Sequence, residues 1–115
     1  MDYFQGDIVL VSYLYSDLKG IKMRPAIIIS NNGFNNTYQD IILVPLTSII
    51  RNEDIEVIIN SDNLISGNLV RTSVARIDKL ASINKSRIKF HIGKIRESIL
   101  DSIHSRISTI LEKTI

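Results

Sequence analysis

The chain has 115 residues, 44% hydrophobic and 23% charged, with a net charge of +2 and no cysteine. That describes one well-cored domain, not a disordered chain, and it excludes a disulfide framework and thiolate metal sites. No apolar run approaches the roughly 18 residues of a membrane span, and Asp2 and Asp7 interrupt the opening where a signal peptide would be apolar, so the expectation is a cytoplasmic protein with no membrane association.

The first predicted strand runs from Asp7 to Tyr13. A polar segment from Leu14 to Met23 follows. Pro25–Ser30 and Asp40–Leu46 are two further apolar runs with the look of buried strands. Between them, Asn31-Asn32-Gly33-Phe34-Asn35-Asn36 has the composition of a turn. Asp54–Ile59 alternates charge with Ile and Val, as a half-exposed strand should. Leu69–Ala75, Lys79–Ser82 and Ile88–Ile92 are the remaining candidates, and many short strands separated by turns predict a small barrel. From Ile95 the pattern changes: Ile95, Ile99, Ile103, Ile107 and Ile110 recur at helical spacing, with Leu100 and Leu111 widening the stripe. This predicts a C-terminal amphipathic helix packed on the barrel. Arg96 stands where a capping Ser or Asp would be expected. The fold class is therefore mainly β with a C-terminal helix.

Charge is distributed unevenly. Residues 1–65 carry four cations (Lys19, Lys22, Arg24, Arg51) against eight carboxylates, whereas residues 66–115 carry ten cations against Asp78, Glu97, Asp101 and Glu112. A cationic half suits a polyanionic partner such as RNA or an acidic protein, and it is equally compatible with a solvated surface.

Two residues carry candidate chemistry. Arg24 precedes Pro25, which restricts it to extended geometry at a loop-to-strand junction. Thr47 lies just past its own apolar run, where a hydroxyl can reach a neighbour. A guanidinium fork and a hydroxyl at adjacent strand ends can hold a phosphodiester, the fork bridging two phosphate oxygens. The bland alternative is a strand-flanking cation and a capping threonine. An arginine has almost no free base at neutral pH and a threonine is too weak an acid to act unaided, so neither is a conventional general base. His91, beside Phe90 in a strand candidate, and His104, on the helix, lack companion motifs and read as structural. No metal-ligand spacing and no Gly-rich nucleotide loop is present, so no metal and no cofactor is expected.

Gly6-Asp7-Ile8-Val9-Leu10-Val11, Lys22-Met23-Arg24-Pro25-Ala26-Ile27-Ile28-Ile29-Ser30-Asn31 and Val44-Pro45-Leu46-Thr47-Ser48 occur in this order, followed by Ser73-Val74, Asp78-Lys79-Leu80, Asn84-Lys85-Ser86-Arg87 and Ile92-Gly93-Lys94-Ile95. In order and spacing, from Gly6 to the final helix, the chain resembles the MazF/PemK toxin family. The resemblance implies a small SH3-like (CcdB/PemK-like) barrel, a homodimer, and a metal-independent endoribonuclease acting on single-stranded RNA under the control of an acidic antitoxin. It further implies that Arg24 and Thr47 are catalytic and that Arg24 shares the acid–base work. Many members carry a Gly-Ser-Glu-Gln type segment before the Arg-Pro, which this chain replaces with Tyr15-Ser16-Asp17-Leu18-Lys19-Gly20-Ile21-Lys22-Met23. Asp17 can still polarise Arg24 or a 2′-hydroxyl there, and Lys19 or Lys22 can touch phosphate. Bases would be read by loops, with Tyr15, Phe34 and Tyr38 offering stacking surfaces and Asn31, Asn32, Asn35 and Asn36 offering donors and acceptors. Arg76, Lys79, Lys85 and Arg87 are candidates to line the RNA and antitoxin groove. The competing reading is a non-enzymatic toxin or binding module on the same barrel, inhibiting a protein such as DNA gyrase.

Overall fold

Three apolar runs form the middle of the sheet in the computed structural model, which describes residues 2–14 and 21–115. They are β1 (Asp7–Leu14), β2 (Ile21–Ile28) and β3 (Asp40–Thr47), paired antiparallel, with the short helix α1 (Asn32–Thr37) between β2 and β3. After them come β4 (Glu56–Ile59), β5 (Leu64–Gly67), β6 (Ser73–Arg76), β7 (Ala81–Asn84), β8 (Ile88–Ile95) and the helix α2 (Glu97–Ile110). The central strands are buried on both faces, which is why they read as near-continuous apolar runs. Ile8, Ile27, Val44 and Leu46 enter one core, while Val9, Val11, Ala26, Ile28, Ile41 and Leu43 enter another.

The second core fills a partly closed barrel. Its wall runs β7, β3, β2, β1, β8, and the 3-10 turn Lys85–Arg87 joins the two end strands directly. Ile83 and Ile88, on either side of that turn, pack into the same interior. The first core lies on the outer face of this wall. There β3 runs on to pair with β6 through Leu46 and Thr47, β4 pairs with β6, and β5 pairs with β8. β4 and β5 end the strand order at opposite ends yet are joined through Ser61–Asn63, so the sheet curls back on itself. Helix α2 seals this core with Ile103, fully buried, flanked by Ile99, Leu100 and Ile107. Burying one such side chain contributes about 1.5–3 kcal/mol. Among the described residues, no helix is long and apolar enough to cross a membrane.

Several elements differ from the sequence expectation: β2 already starts at Ile21, and β7 spans Ala81–Asn84 instead of Lys79–Ser82. Asn31–Asn36 is not a simple turn: Asn31 accepts the Phe34 N–H at 2.8 Å and caps α1, and Asn35 is buried, its Nδ2 donating to Ser30 O at 2.9 Å. Asn serves helix caps as readily as turns. The strand expected over Asp54–Ile59 starts at Glu56 and is mostly buried. Burial opposes ionisation of Glu56, but the N–H groups of Glu53 and Arg51 at 3.1 Å and the Arg76 guanidinium at 3.1 Å outweigh it and hold the carboxyl below the usual carboxylate range. β5 was not anticipated, and the strand expected from Leu69 begins only at Ser73. Finally, α2 starts at Glu97, leaving Ile95 in β8, and Arg96 makes no side-chain cap; its Nε donates to Asp62 O at 3.0 Å instead.

Candidate active site

Arg24 lies in β2, half-buried and opposite Val11 of β1. On the other side, the β2–β3 ladder ends at Ala26–Pro45. Pro25 and Pro45 have no N–H to offer there, and the strands part. Continuing the register of that ladder by two residues brings Arg24 opposite Thr47. The two motif residues are thus delivered by a strand pair that opens just before it reaches them.

The opening is a groove of about 440 Å³. Lys22, Met23, Arg24 and Pro25 form one wall with Leu10 and Ile92, Thr47, Ser48 and Ile49 form the second, and Asn68–Arg71 with Ser73 form the third. Its volume is that of an ordinary ligand site. Among the described lining residues the charged groups are Lys22, Arg24 and Arg71, with no carboxylate or histidine. Thr47 Oγ1 accepts the Ile49 N–H at 3.2 Å, which leaves the hydroxyl proton free to donate to an anion in the groove. Chemically, the lining can bind a phosphodiester, neutralise charge building on phosphorus and align the scissile bond. The described lining contains no conventional base.

Tyr13 stands beside Arg24. Its hydroxyl is buried without a hydrogen-bond partner among the described residues. Burial pushes the phenol up to about 12, against the opposing pull of the Arg24 charge. An unfolded chain ionises this group from about pH 10, before the folded one does, so folded-state stability falls as pH rises from about 10 toward 12. Tyr13→Phe should flatten that alkaline limb in denaturation measured against pH. An unchanged limb in the variant would remove Tyr13 from the account.

The other candidate residues are dispersed. Lys22 lines the groove, whereas Asn31 is occupied in capping α1. Lys79 ends the 3-10 turn Ile77–Lys79, and Lys85 and Arg87 belong to the turn closing the barrel, where Arg87 Nη1 donates to Ser12 O at 3.4 Å. None of these three lines the groove. Asp17 and Lys19, with Tyr15, lie outside the described residues. Arg76, a candidate groove cation, is occupied elsewhere: Glu53 at 2.9 Å, Glu56 at 3.1 Å and Asp78 at 3.1 Å surround its guanidinium and raise its pKa. His91 Nε2 is 3.4 Å from Asp7 Oδ1, and His104 is exposed on α2; both lie off the groove. The sequence reading missed Asn68 and Arg71. Ser66-Gly67-Asn68 was the available signal, since turn residues there mark a loop immediately before the strand expected from Leu69.

The chain matches the family described as PemK-like, MazF-like toxin of type II toxin-antitoxin system over residues 4–111. Among curated proteins, none matches it. Solved structures do. An endoribonuclease in complex with its cognate antitoxin from a Mycobacterial species superposes with a TM-score of 0.79 at 20% identity, covering 98% of each chain. Mycobacterium tuberculosis toxin MazF-mt6 gives 0.77 at 19% identity over 95% of this chain and 99% of its own. A MazE-MazF structure from Deinococcus radiodurans gives 0.79 at 18% identity over 99% of each. At such identities the likeness carries the fold.

Proposed function

The chain belongs to the family of PemK-like, MazF-like toxins of type II toxin–antitoxin systems, and we propose that it is a metal-independent endoribonuclease that cuts single-stranded RNA in the groove between Arg24 and Thr47. One observation carries this reading: Arg24, Thr47 and Lys22 line a single opening whose charged groups, among the described residues, are all cations. Arg24 clamps the scissile phosphate and neutralises the charge that develops on it, while the Thr47 hydroxyl fixes a phosphate oxygen. The attacking oxygen is the substrate's own 2′-hydroxyl: its bond to phosphorus forms as the P–O5′ bond breaks, the hydroxyl proton passing to solvent water and the departing 5′-oxygen taking one up. The test is incubation of purified protein with a long single-stranded RNA in EDTA. Discrete fragments are expected, and intact RNA at high protein concentration would overturn the proposal.

The toxin works as a cytoplasmic homodimer restrained by an acidic antitoxin. Exposed Met23 and Ile49 at the groove's edge supply apolar surface suited to a second copy, and the cations suit an acidic segment that excludes RNA by charge and volume. Lys79, Lys85, Arg87 and Asn31 would meet only RNA extending beyond the groove. Light scattering across a concentration series should give twice the chain mass, and a monomer at tens of micromolar would contradict the dimer.

A further inference from the structure

We propose that the loop Asn68–Arg71 is a substrate-reading lip: Arg71 anchors the phosphate next to the scissile one, and the Asn68 amide reads the edge of the neighbouring base. This rests on the endoribonuclease reading and assigns the third wall of the same groove.

The lip is built by a close backbone contact. Gly67 has φ +81°, and a Cβ there would stand 2.1 Å from Ile92 O. A Cβ on Gly93, its partner in the β5–β8 ladder, would stand 2.4 Å from Ser66 O. Only two glycines let β5 lie this close to β8 and then turn the chain out over the groove. Beyond the turn the backbone is pinned, not loose. Leu69 N–H donates to Ser61 Oγ at 3.2 Å, Ser61 Oγ donates to Leu69 O at 3.3 Å, and Ser73 Oγ donates to Arg71 O at 3.2 Å.

The side chains on this fixed backbone are unspent. Asn68 and Arg71 are exposed and, among the described residues, have no hydrogen-bonding or ionic partner for their side chains; Arg76, five residues on, has three carboxylates. Val70 between them is 99% exposed at the rim. A backbone held by these hydrogen bonds, with an unpaired guanidinium, an unpaired amide and an apolar face in the same groove as Arg24 and Thr47, is arranged for a nucleotide: phosphate, base edge and base face. Arg71 acts before the chemistry and equally in substrate and transition state, so its contribution belongs to binding.

The experiment measures binding of a non-cleavable 2′-deoxy strand against salt, and cleavage of the matching RNA, for the wild type, Arg71→Ala, Arg71→Lys, Asn68→Ala and, as a charge-matched control on the tail, Lys113→Ala. Arg71→Ala should make the plot of log affinity against log salt shallower by about 0.7, one phosphate contact on a single strand. It should also raise KM several-fold with kcat kept. Arg71→Lys should restore the slope, and Lys113→Ala should match the wild type. Asn68→Ala should cut a broader set of sequences, relaxed at one position beside the cut. A wild type that does not cut RNA fails the underlying reading and takes the lip with it. A wild type that cuts while Arg71→Ala keeps its slope and KM overturns the lip alone. A halved mass for Arg71→Ala in light scattering would make the loop a subunit contact and also overturn it.

Discussion

Arg24→Ala should lower kcat for RNA cleavage by about 10²–10³, the rate equivalent of losing about 3–4 kcal/mol of transition-state charge stabilisation. Folding should be unaffected, because Arg24 is half-buried at the edge of an opening and has no ion-pair partner among the described residues. Arg24→Lys should fail almost as badly, since an ammonium cannot bridge two phosphate oxygens as the planar fork does. Thr47→Val should lose less, of the order of one hydrogen bond, about 1 kcal/mol. Thr47→Ser should retain activity because it keeps the donor. Cleavage by Arg24→Ala at the wild-type rate, measured under single-turnover conditions, would remove this residue from the chemistry.

The second expectation concerns the substrate. RNA with one 2′-deoxy or 2′-O-methyl sugar at the cut site should bind normally and resist cleavage completely, because the nucleophile itself is gone. No variant of the protein should have so large an effect. Cutting of the modified strand at the original bond would mean that water attacks, and the 2′-hydroxyl mechanism would be wrong.

Proline marked the heart of the candidate site in the sequence, although Arg24 lies inside β2 and not at the loop-to-strand junction expected of it. Arg24-Pro25 and Pro45-Leu46-Thr47 each mark where an apolar run meets an opening, and the β2–β3 register aligns the two marks. The double-faced burial of Ile27, Ile28, Val44 and Leu43 showed in the runs themselves. The third wall was hidden for a physical reason. Its residues belong to a loop held by a glycine–glycine backbone contact between segments that are distant in sequence. β5 has one buried residue, Leu64, followed by exposed Ile65, Ser66 and Gly67, so no alternation announces it. The basic half of the chain misled in a similar way. A charge count along the sequence cannot see that Arg76 is neutralised by Glu53 and Glu56 from the acidic half, or that Lys94 lies 3.4 Å from Asp7. Space cancels part of an asymmetry that sequence displays. Among the described residues that line the groove, the cations are Lys22 and Arg24 from the acidic half and Arg71, which carried no motif.

The central claim is that the RNA's own 2′-hydroxyl makes the cut in this cationic groove, and the ends of the product report on it directly. Fragments produced in EDTA should carry a 2′,3′-cyclic phosphate on one side and a 5′-hydroxyl on the other, identified by mass spectrometry and by labelling with a 5′-kinase without prior phosphatase. Fragments with a 3′-hydroxyl and a 5′-phosphate, or cleavage abolished by EDTA, would contradict the account.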